Sequence, residues 1–98
     1  MIKHTVMFRL SAEGEQLADI CRRFKEGLEA LPPVIDGLDA MEAHVNDVPA
    51  EGNWNVVLTA TCPDTRALAA YAGHPSHLAC VAIIKPFIAG RACVDYTV

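Results

Sequence analysis

The fold is decided by the stretch Ile2-Lys-His-Thr-Val-Met-Phe-Arg-Leu10 and the residues that follow it. These are the twenty-one residues 11–31 and the closing pair Pro32-Pro33. In residues 2–10 every second residue is apolar or His4, which is the period of a strand with one covered face. In residues 11–31 the apolar positions recur at spacings of three and four, which predicts an amphipathic helix. These positions are Leu17, Ile20, Phe24, Leu28 and Leu31. Ser11 is the expected helix cap, and the two prolines end the helix.

Three more strands and a second helical region follow this unit. Alternating and β-branched residues predict strands at residues 38–48, 54–62 and 91–98. Between the last two, Asp64 and Pro75 are good helix starts and Gly73 is a good helix stop, which predicts two short helices. The order βαββαβ is the ferredoxin-like split motif, an α+β fold with a four-stranded antiparallel sheet. We expect one domain over residues 1–98.

One face of this sheet has no helix to cover it. We assign Met7, Met41, Val45 and Val57 to that face, and apolar side chains there predict a partner. Hydrophobic residues make up 52% of the chain before its six glycines are counted, against ~45–50% with glycine included in ordinary domains. The expected partner is a second copy, in a homodimer.

Composition and charge exclude several kinds of partner. The net charge is −4 and the eight Lys and Arg are scattered, so nucleic acid is not expected. No apolar run approaches the ~20 residues that cross a bilayer, and the N-terminus lacks a signal-peptide pattern. We expect no membrane and a cytoplasmic location. The cysteines at 21, 62, 80 and 93 form no Cys-x-x-Cys pair and are expected to be buried packing residues, with a reactive or metal-binding thiol as the alternative.

The segment Tyr71-Ala-Gly-His74-Pro75-Ser-His77, taken with Ile2-Lys3-His4 and Val94-Asp95-Tyr96, resembles the stress-responsive dimeric α/β-barrel (Dabb) family. The resemblance covers essentially the whole chain, and the His-Pro-x-His turn is its most specific part. It implies a ferredoxin-like monomer whose sheet pairs face to face with a second copy, giving a dimeric α/β barrel with the helices outside.

The Dabb family includes plant stress-induced proteins, bacterial members without an assigned activity, and polyketide cyclases of the olivetolic acid cyclase type. The cyclases close a linear poly-β-ketone by intramolecular aldol condensation. The resemblance implies that their working residues correspond to Tyr71, His77 and His4 of this chain.

The chemistry of these side chains is compatible with that role. His77 follows Pro75 in the first turn of a predicted helix, where the dipole disfavours an imidazolium, so a neutral ring there can act as a general base. Tyr71 can donate a hydrogen bond to a carbonyl oxygen that gains charge. His4 would form a polar wall. Each also has a structural alternative, as a buried side chain satisfied by neighbouring groups.

A small hydrophobic pocket would hold the ligand of such a site. We expect Phe8, Phe24, Leu28 and His74 to contact that ligand, although His74, directly before Pro75, also suits a helix cap. A cavity of a few hundred Å³ that reaches His77 would favour a ligand or substrate, and a filled interior would favour a structural role.

Three functions remain open at this point. The leading one is a homodimeric stress-response-type protein that binds a small hydrophobic or keto ligand. The second is a polyketide cyclase or lyase that uses Tyr71 and His77. The third, a cofactor-free monooxygenase, rests on fold analogy alone. No cofactor is expected, and no metal, because His74 and His77 have no Cys or carboxylate at ligand spacing beside them.

Overall fold

The computed structural model describes residues 1–98 and has four strands, three α-helices and one 3-10 turn. In chain order they are β1 (Ile2–Leu10), α1 (Gly14–Glu29), β2 (Ala40–Val45), β3 (Val56–Cys62), α2 (Thr65–Gly73), α3 (Pro75–Ile84), the 3-10 turn Lys85–Phe87 and β4 (Ile88–Thr97). The order matches the βαββαβ prediction, with the second helical region split in two.

The four strands form one antiparallel sheet in the order β2-β3-β1-β4. This is the ferredoxin-like topology, with β1 and β3 in the centre and β4 at one edge. Its register places His4 of β1 opposite Ala60 of β3 and opposite Asp95 of β4. Directly opposed residues point to the same face of an antiparallel sheet, so this register places Asp95 on the His4 side.

All three helices lie on the His4 side of the sheet, and the core is packed between these two layers. Val6, Phe8 and Leu10 project from β1 into this core, where each is at most 6% exposed. Phe24 and Leu28 of α1 have no exposed surface. Helix α1 also packs closely on α3, since a Cβ added at Gly27 would lie 3.0 Å from Cys80 Sγ. The amphipathic stripe predicted from the sequence is therefore the stripe that packs on the sheet.

The opposite face of the sheet carries no helix. Met7, Val94 and Tyr96 are 43%, 65% and 46% exposed there. Two of the residues predicted for this face lie on the other one. Met41 is opposite Ala60 and Val45 is opposite Val56, and both partners are buried on the helix side. Alternation alone leaves open which face of a strand is buried, and the pairing with β3 decides it.

Several predicted boundaries also differ from the structure. For example, β3 begins at Val56 instead of residue 54, and β4 begins at Ile88 instead of residue 91. Ser11 does not cap α1, because its backbone N–H donates to the Phe87 carbonyl at 2.6 Å and the helix begins only at Gly14. The second strand ends at Val45 instead of residue 48. Beyond it, the Asn46 and Asn53 side chains hydrogen-bond within the connecting turn.

The link between α2 and α3 follows the predicted signals. Asp64 caps α2 by accepting a hydrogen bond from the Ala67 N–H at 2.8 Å. His74 ends α2 and caps α3, with its Nδ1 accepting from the Ser76 N–H at 3.1 Å.

No single helix is long and apolar enough to span a bilayer. Thr65–Gly73 and Pro75–Phe87 reach that length only together, and they are bent by 61° at the break between them.

Candidate functional site

Tyr71, near the end of α2, is the most unusual polar residue of the core. It is 1% exposed, and its hydroxyl has no hydrogen-bond partner. Burial raises the pKa of this phenol far above its ordinary value, and the neighbouring Cys62 and Cys80 add to the effect while Arg91 opposes it. At neutral pH the hydroxyl is therefore a protonated donor. Buried hydroxyls are normally paired, so this one is free to bond to a ligand.

His77, in the first turn of α3, lies against the Tyr71 ring. The two ring centroids are 4.4 Å apart, with the planes tilted by 45°. His77 Nδ1 is 3.0 Å from the Ala72 carbonyl oxygen. A carbonyl only accepts, so Nδ1 carries the proton and Nε2 is the free acceptor.

The surroundings of His77 favour its neutral form. Burial lowers the pKa of its imidazole, and the proximity of His4, Arg91 and His74 acts in the same direction. The hydrogen bond to Ala72 opposes this shift without reversing it. The neutral ring expected from the helix position is therefore supported, with burial as the largest cause.

His4 also lies near Tyr71, with the two ring centroids 6.1 Å apart in an edge-to-face arrangement. The fold thus brings His4, Tyr71 and His77 together, as the sequence predicted. His4 Nδ1 also bonds to Asp95 Oδ1 at 2.5 Å, and this bond lowers the pKa of the Asp95 carboxyl. Cys93 Sγ lies 3.5 Å from His4 Nδ1.

The four residues predicted to contact a ligand do not line an open cavity. Phe8 and Phe24 pack edge to face at 5.7 Å, and together with Leu28 they belong to the closed core. His74 uses Nδ1 for its cap bond to Ser76. Ligand contact by these four residues stays a prediction, and for the three core residues it would require the core to open.

Three surface cavities lie elsewhere on the molecule. Their volumes are about 430, 490 and 200 Å³, and none is lined by His4, Tyr71 or His77. The first opens beside Met7, Trp54 and Val57, towards the uncovered sheet face. Tyr71 itself is 1% exposed, so the interior around its ring is closed in this form of the protein.

On the helix-facing side of the sheet, β4 is more open to solvent than the neighbouring strand β1. On the helix-facing side of β4, Arg91 and Asp95 are exposed and Cys93 is half-buried. On the same side of β1, Val6 is 2% exposed. Arg91 is opposite Phe8 in the β1–β4 register, and its charge lowers the pKa values of both Tyr71 and His77.

Sequence reasoning did not assign Asp95 or Cys93 to this region. Both lie about ninety positions from His4, and only the β1–β4 pairing brings them to it. The sequence does place Cys93 and Asp95 two positions apart in a predicted strand. This spacing indicates that both side chains lie on the same face of the sheet. Cys93 is half-buried and packs against the core, so the prediction of buried packing residues holds for Cys21, Cys62 and Cys80 and only in part for Cys93.

Comparison with known proteins gives a family and a set of similar folds. The family model of the stress responsive A/B barrel domain (Dabb) matches residues 2–98. Comparison with curated proteins finds no match. A dimeric ferredoxin-like protein of unknown function from Bacteroides fragilis is 34% identical, with a TM-score of 0.93 over 99% of this chain and 95% of that one.

Two further solved structures extend this similarity. A dimeric ferredoxin-like protein of unknown function from Thermobifida fusca is 26% identical, with a TM-score of 0.79 over 99% of this chain and 90% of that one. An antibiotic biosynthesis monooxygenase shares the fold at 15% identity, with a TM-score of 0.77 over 100% and 98% of the two chains. On the full-length match to the family model and the relative at 34% identity, the chain belongs to the stress-responsive A/B barrel (Dabb) domain family.

Proposed function

We propose that this protein is a homodimeric small-molecule-binding protein whose ligand presents a carbonyl oxygen to the Tyr71 hydroxyl. The observation that carries the proposal is that this hydroxyl is buried without a partner. An unsatisfied buried donor costs about 1–3 kcal/mol. A ligand oxygen that accepts a hydrogen bond from Tyr71 would remove this cost when it binds. The removal of this cost would add to the affinity for the ligand.

The second polar group narrows the class of ligand. His77 Nε2 is free to accept a hydrogen bond, because Nδ1 donates to Ala72. A donor and an acceptor on rings 4.4 Å apart complement a keto compound with an enol or an acidic C–H next to its carbonyl. The surrounding core is apolar, so the rest of the ligand should be hydrophobic.

Binding at this site requires movement, since the interior around Tyr71 is closed. The exposed Arg91 and Asp95 side chains on β4 offer the least packed route to Tyr71. We expect the ligand to enter between β4 and the α2–α3 pair and to displace side chains there. A closed pocket opened by its ligand is a change of population between two forms of the protein.

The homodimer in this proposal is supported by the uncovered sheet face and by the relatives. Three large apolar or aromatic side chains lie exposed together on this face: Met7, Val94 and Tyr96. An exposed apolar patch of this kind indicates a surface that a partner covers. The relatives at 34% and 26% identity are dimeric. Pairing through this face leaves the Tyr71 site on the opposite side of the sheet, so each subunit would keep its own site.

The proposal is tested with linear tri- and tetraketide acids as probes. Binding is followed by backbone amide NMR shifts in the wild type, Tyr71→Phe and His77→Gln. We expect shifts around α2, α3 and β4 in the wild type and a several-fold weaker Kd in Tyr71→Phe, since one hydrogen bond is lost. Tyr96→Phe, which deletes the exposed hydroxyl of the open face, is the matched control and should bind as the wild type does. Wild-type protein that shows no shift with any probe would contradict the keto-ligand proposal.

A second candidate function is ring closure of a keto compound by aldol addition, and the free Nε2 of His77 favours it. His77 would remove a proton from the carbon beside a carbonyl whose oxygen accepts from Tyr71. The enolate carbon would then form a C–C bond to a second carbonyl of the same chain, and protonated His77 would return the proton to the new alkoxide. The proton removed is returned, so no cofactor or oxidant is needed.

Product formation from the same ketides tests this candidate. His77→Ala should lower the rate by roughly 10²–10⁴, the usual contribution of a general base. Tyr71→Phe should lower it by roughly 10²–10³, since one donor to the oxyanion is lost. Equal rates in the wild type and both variants would reject this assignment. Binding of the ketides without product formation would reject the enzyme candidate and support only the ligand-binding function.

A further inference from the structure

His4, Cys93 and Asp95 form a cluster of three different metal-binding side chains at the β1–β4 pair. Asp95 is directly opposite His4, and Cys93 lies two residues before Asp95 on the same face of the sheet. One ligand atom from each of the three lies within 4.8 Å of the others. Two paired strands fix their backbones, so the cluster does not depend on a mobile loop.

The distances within the cluster approach those of a tetrahedral zinc site. Zinc–ligand bonds of about 2.3 Å to sulfur and about 2.0 Å to nitrogen or oxygen place the sulfur about 3.5 Å from each of the other ligands. Cys93 Sγ is 3.5 Å from His4 Nδ1 and 3.4 Å from Asp95 Oδ1. The third ligand–ligand distance, from His4 Nδ1 to Asp95 Oδ1, is 2.5 Å. It would have to lengthen by about 0.8 Å when the metal replaces the proton that these two atoms share. The exposed Asp95 side chain is free to make this movement.

We infer that His4, Cys93 and Asp95 bind one Zn²⁺ ion per subunit, with the fourth position open to water or to a ligand oxygen. A thiolate, a carboxylate and a neutral imidazole balance the charge of a divalent ion. The thiol proton is released to solvent. The proton shared by His4 Nδ1 and Asp95 leaves Nδ1, so that His4 binds zinc as a neutral ring protonated on Nε2. The mixed sulfur, nitrogen and oxygen set suits zinc and disfavours Mg²⁺ and Ca²⁺, which take oxygen ligands.

The exposure of the three side chains fits a site with an open position. His4 is 13% exposed and Asp95 is 47% exposed, so the ring is anchored and the carboxylate faces solvent. The site lies on the helix side of β4, away from the sheet face that we assign to dimer contact. It does not require the proposed keto ligand, because neither Tyr71 nor His77 is among the three zinc ligands.

The experiment uses the purified full chain, treated with a chelator and then titrated with Zn²⁺ in a calorimeter. We expect one zinc per subunit in the wild type. Cys93→Ser and Asp95→Asn should each weaken zinc binding by at least about tenfold. Loss of a residue that only hydrogen-bonds to a metal ligand already lowers metal affinity by about that factor. Titration with Co²⁺ should give the near-ultraviolet absorption of a sulfur–cobalt bond in the wild type and not in Cys93→Ser.

Two controls keep this test specific. His44 and Glu42 form another exposed histidine–carboxylate pair, 3.4 Å apart, but no cysteine lies with them in a metal-binding group. His44→Gln should therefore bind zinc as the wild type does. Tyr71→Phe and His77→Gln should also keep full zinc affinity, which separates this inference from the keto-ligand proposal. Absence of zinc binding in the wild type, or equal affinity in Cys93→Ser, would overturn the inference.

Discussion

Tyr71 and His77 lie with their ring centroids 4.4 Å apart although they belong to different helices. In one continuous helix, residues six positions apart point about 120° away from each other. Here the chain leaves the helical conformation at His74, with φ −66° and ψ 134°, and the next helix starts at Pro75. The 61° bend at this break turns His77 back onto Tyr71. The His-Pro pair is therefore the structural cause of the Tyr71–His77 contact.

Removing the Tyr71 hydroxyl should stabilise the ligand-free protein. Tyr71→Phe keeps the buried ring and deletes a hydroxyl that has no partner, so we expect a gain of about 1 kcal/mol in the free energy of unfolding. The measurement is urea unfolding followed by circular dichroism. Val34→Ala, at a position that is 58% exposed in the turn after α1, should change little. A clear loss of stability in Tyr71→Phe would mean that the hydroxyl has a partner in solution and would remove the basis of the proposed site.

Acid should destabilise the protein partly through His77. Burial lowers the pKa of His77 below the ordinary value of 6.5. Between the two pKa values the unfolded chain binds more protons than the folded one, so stability is complete above about pH 6.5 and falls as the pH drops. His77→Asn, whose amide nitrogen takes the place of Nδ1, can still donate to Ala72 but does not titrate. Its urea midpoint, measured with a chelator present, should change less between pH 7 and 5 than that of the wild type. An unchanged slope would show that His77 keeps its ordinary pKa.

Cys93 should be the one cysteine that reacts in the native protein. Cys21, Cys62 and Cys80 are 1%, 0% and 7% exposed, whereas Cys93 is half-buried. Partial burial raises the pKa of the Cys93 thiol, and Asp95 raises it further, so it should react more slowly than free cysteine at pH 7. Iodoacetamide labelling followed by peptide mass spectrometry measures both effects. Modification of Cys62 at the same rate as Cys93 would contradict the packing described above.

Local patterns in the sequence predict much of this fold because each element carries its own period and stop signals. The alternation in Ile2–Leu10 and the three-and-four spacing after it specify a strand and a helix independently of the rest of the chain. Asp64 and Pro75 mark helix starts that the structure confirms. Ser11 lies two residues before the cap position of α1, which is Glu13, and its N–H is bonded to Phe87, seventy-six residues away. No local pattern contains that contact.

Register is the information that local patterns lack, and the unpredicted features depend on it. Met41 was assigned to the open face because alternation alone leaves the buried side of a strand undetermined; its pairing with Ala60 places it in the core. The same limit applies to the candidate site. The family resemblance implies a joint site for Tyr71 and His77, which are only six residues apart, whereas Cys93 and Asp95 reach His4 only through the β1–β4 pairing.

A charge in the centre of the uncovered face should break the proposed dimer. Met7 lies on a central strand, is 43% exposed and pairs with Val57 and Ala92, so Met7→Asp should leave the subunit folded. In a face-to-face dimer the same carboxylate would be buried without a partner, at a cost of several kcal/mol. Sedimentation should give about 21 kDa for the wild type, twice the 10.6 kDa of one chain, and about half that mass for Met7→Asp. Val34→Asp places the same charge at a position that is 58% exposed in the turn after α1 and should remain dimeric. A wild type that sediments as a monomer at micromolar concentration, or a Met7→Asp protein that stays dimeric, would exclude this face as the interface.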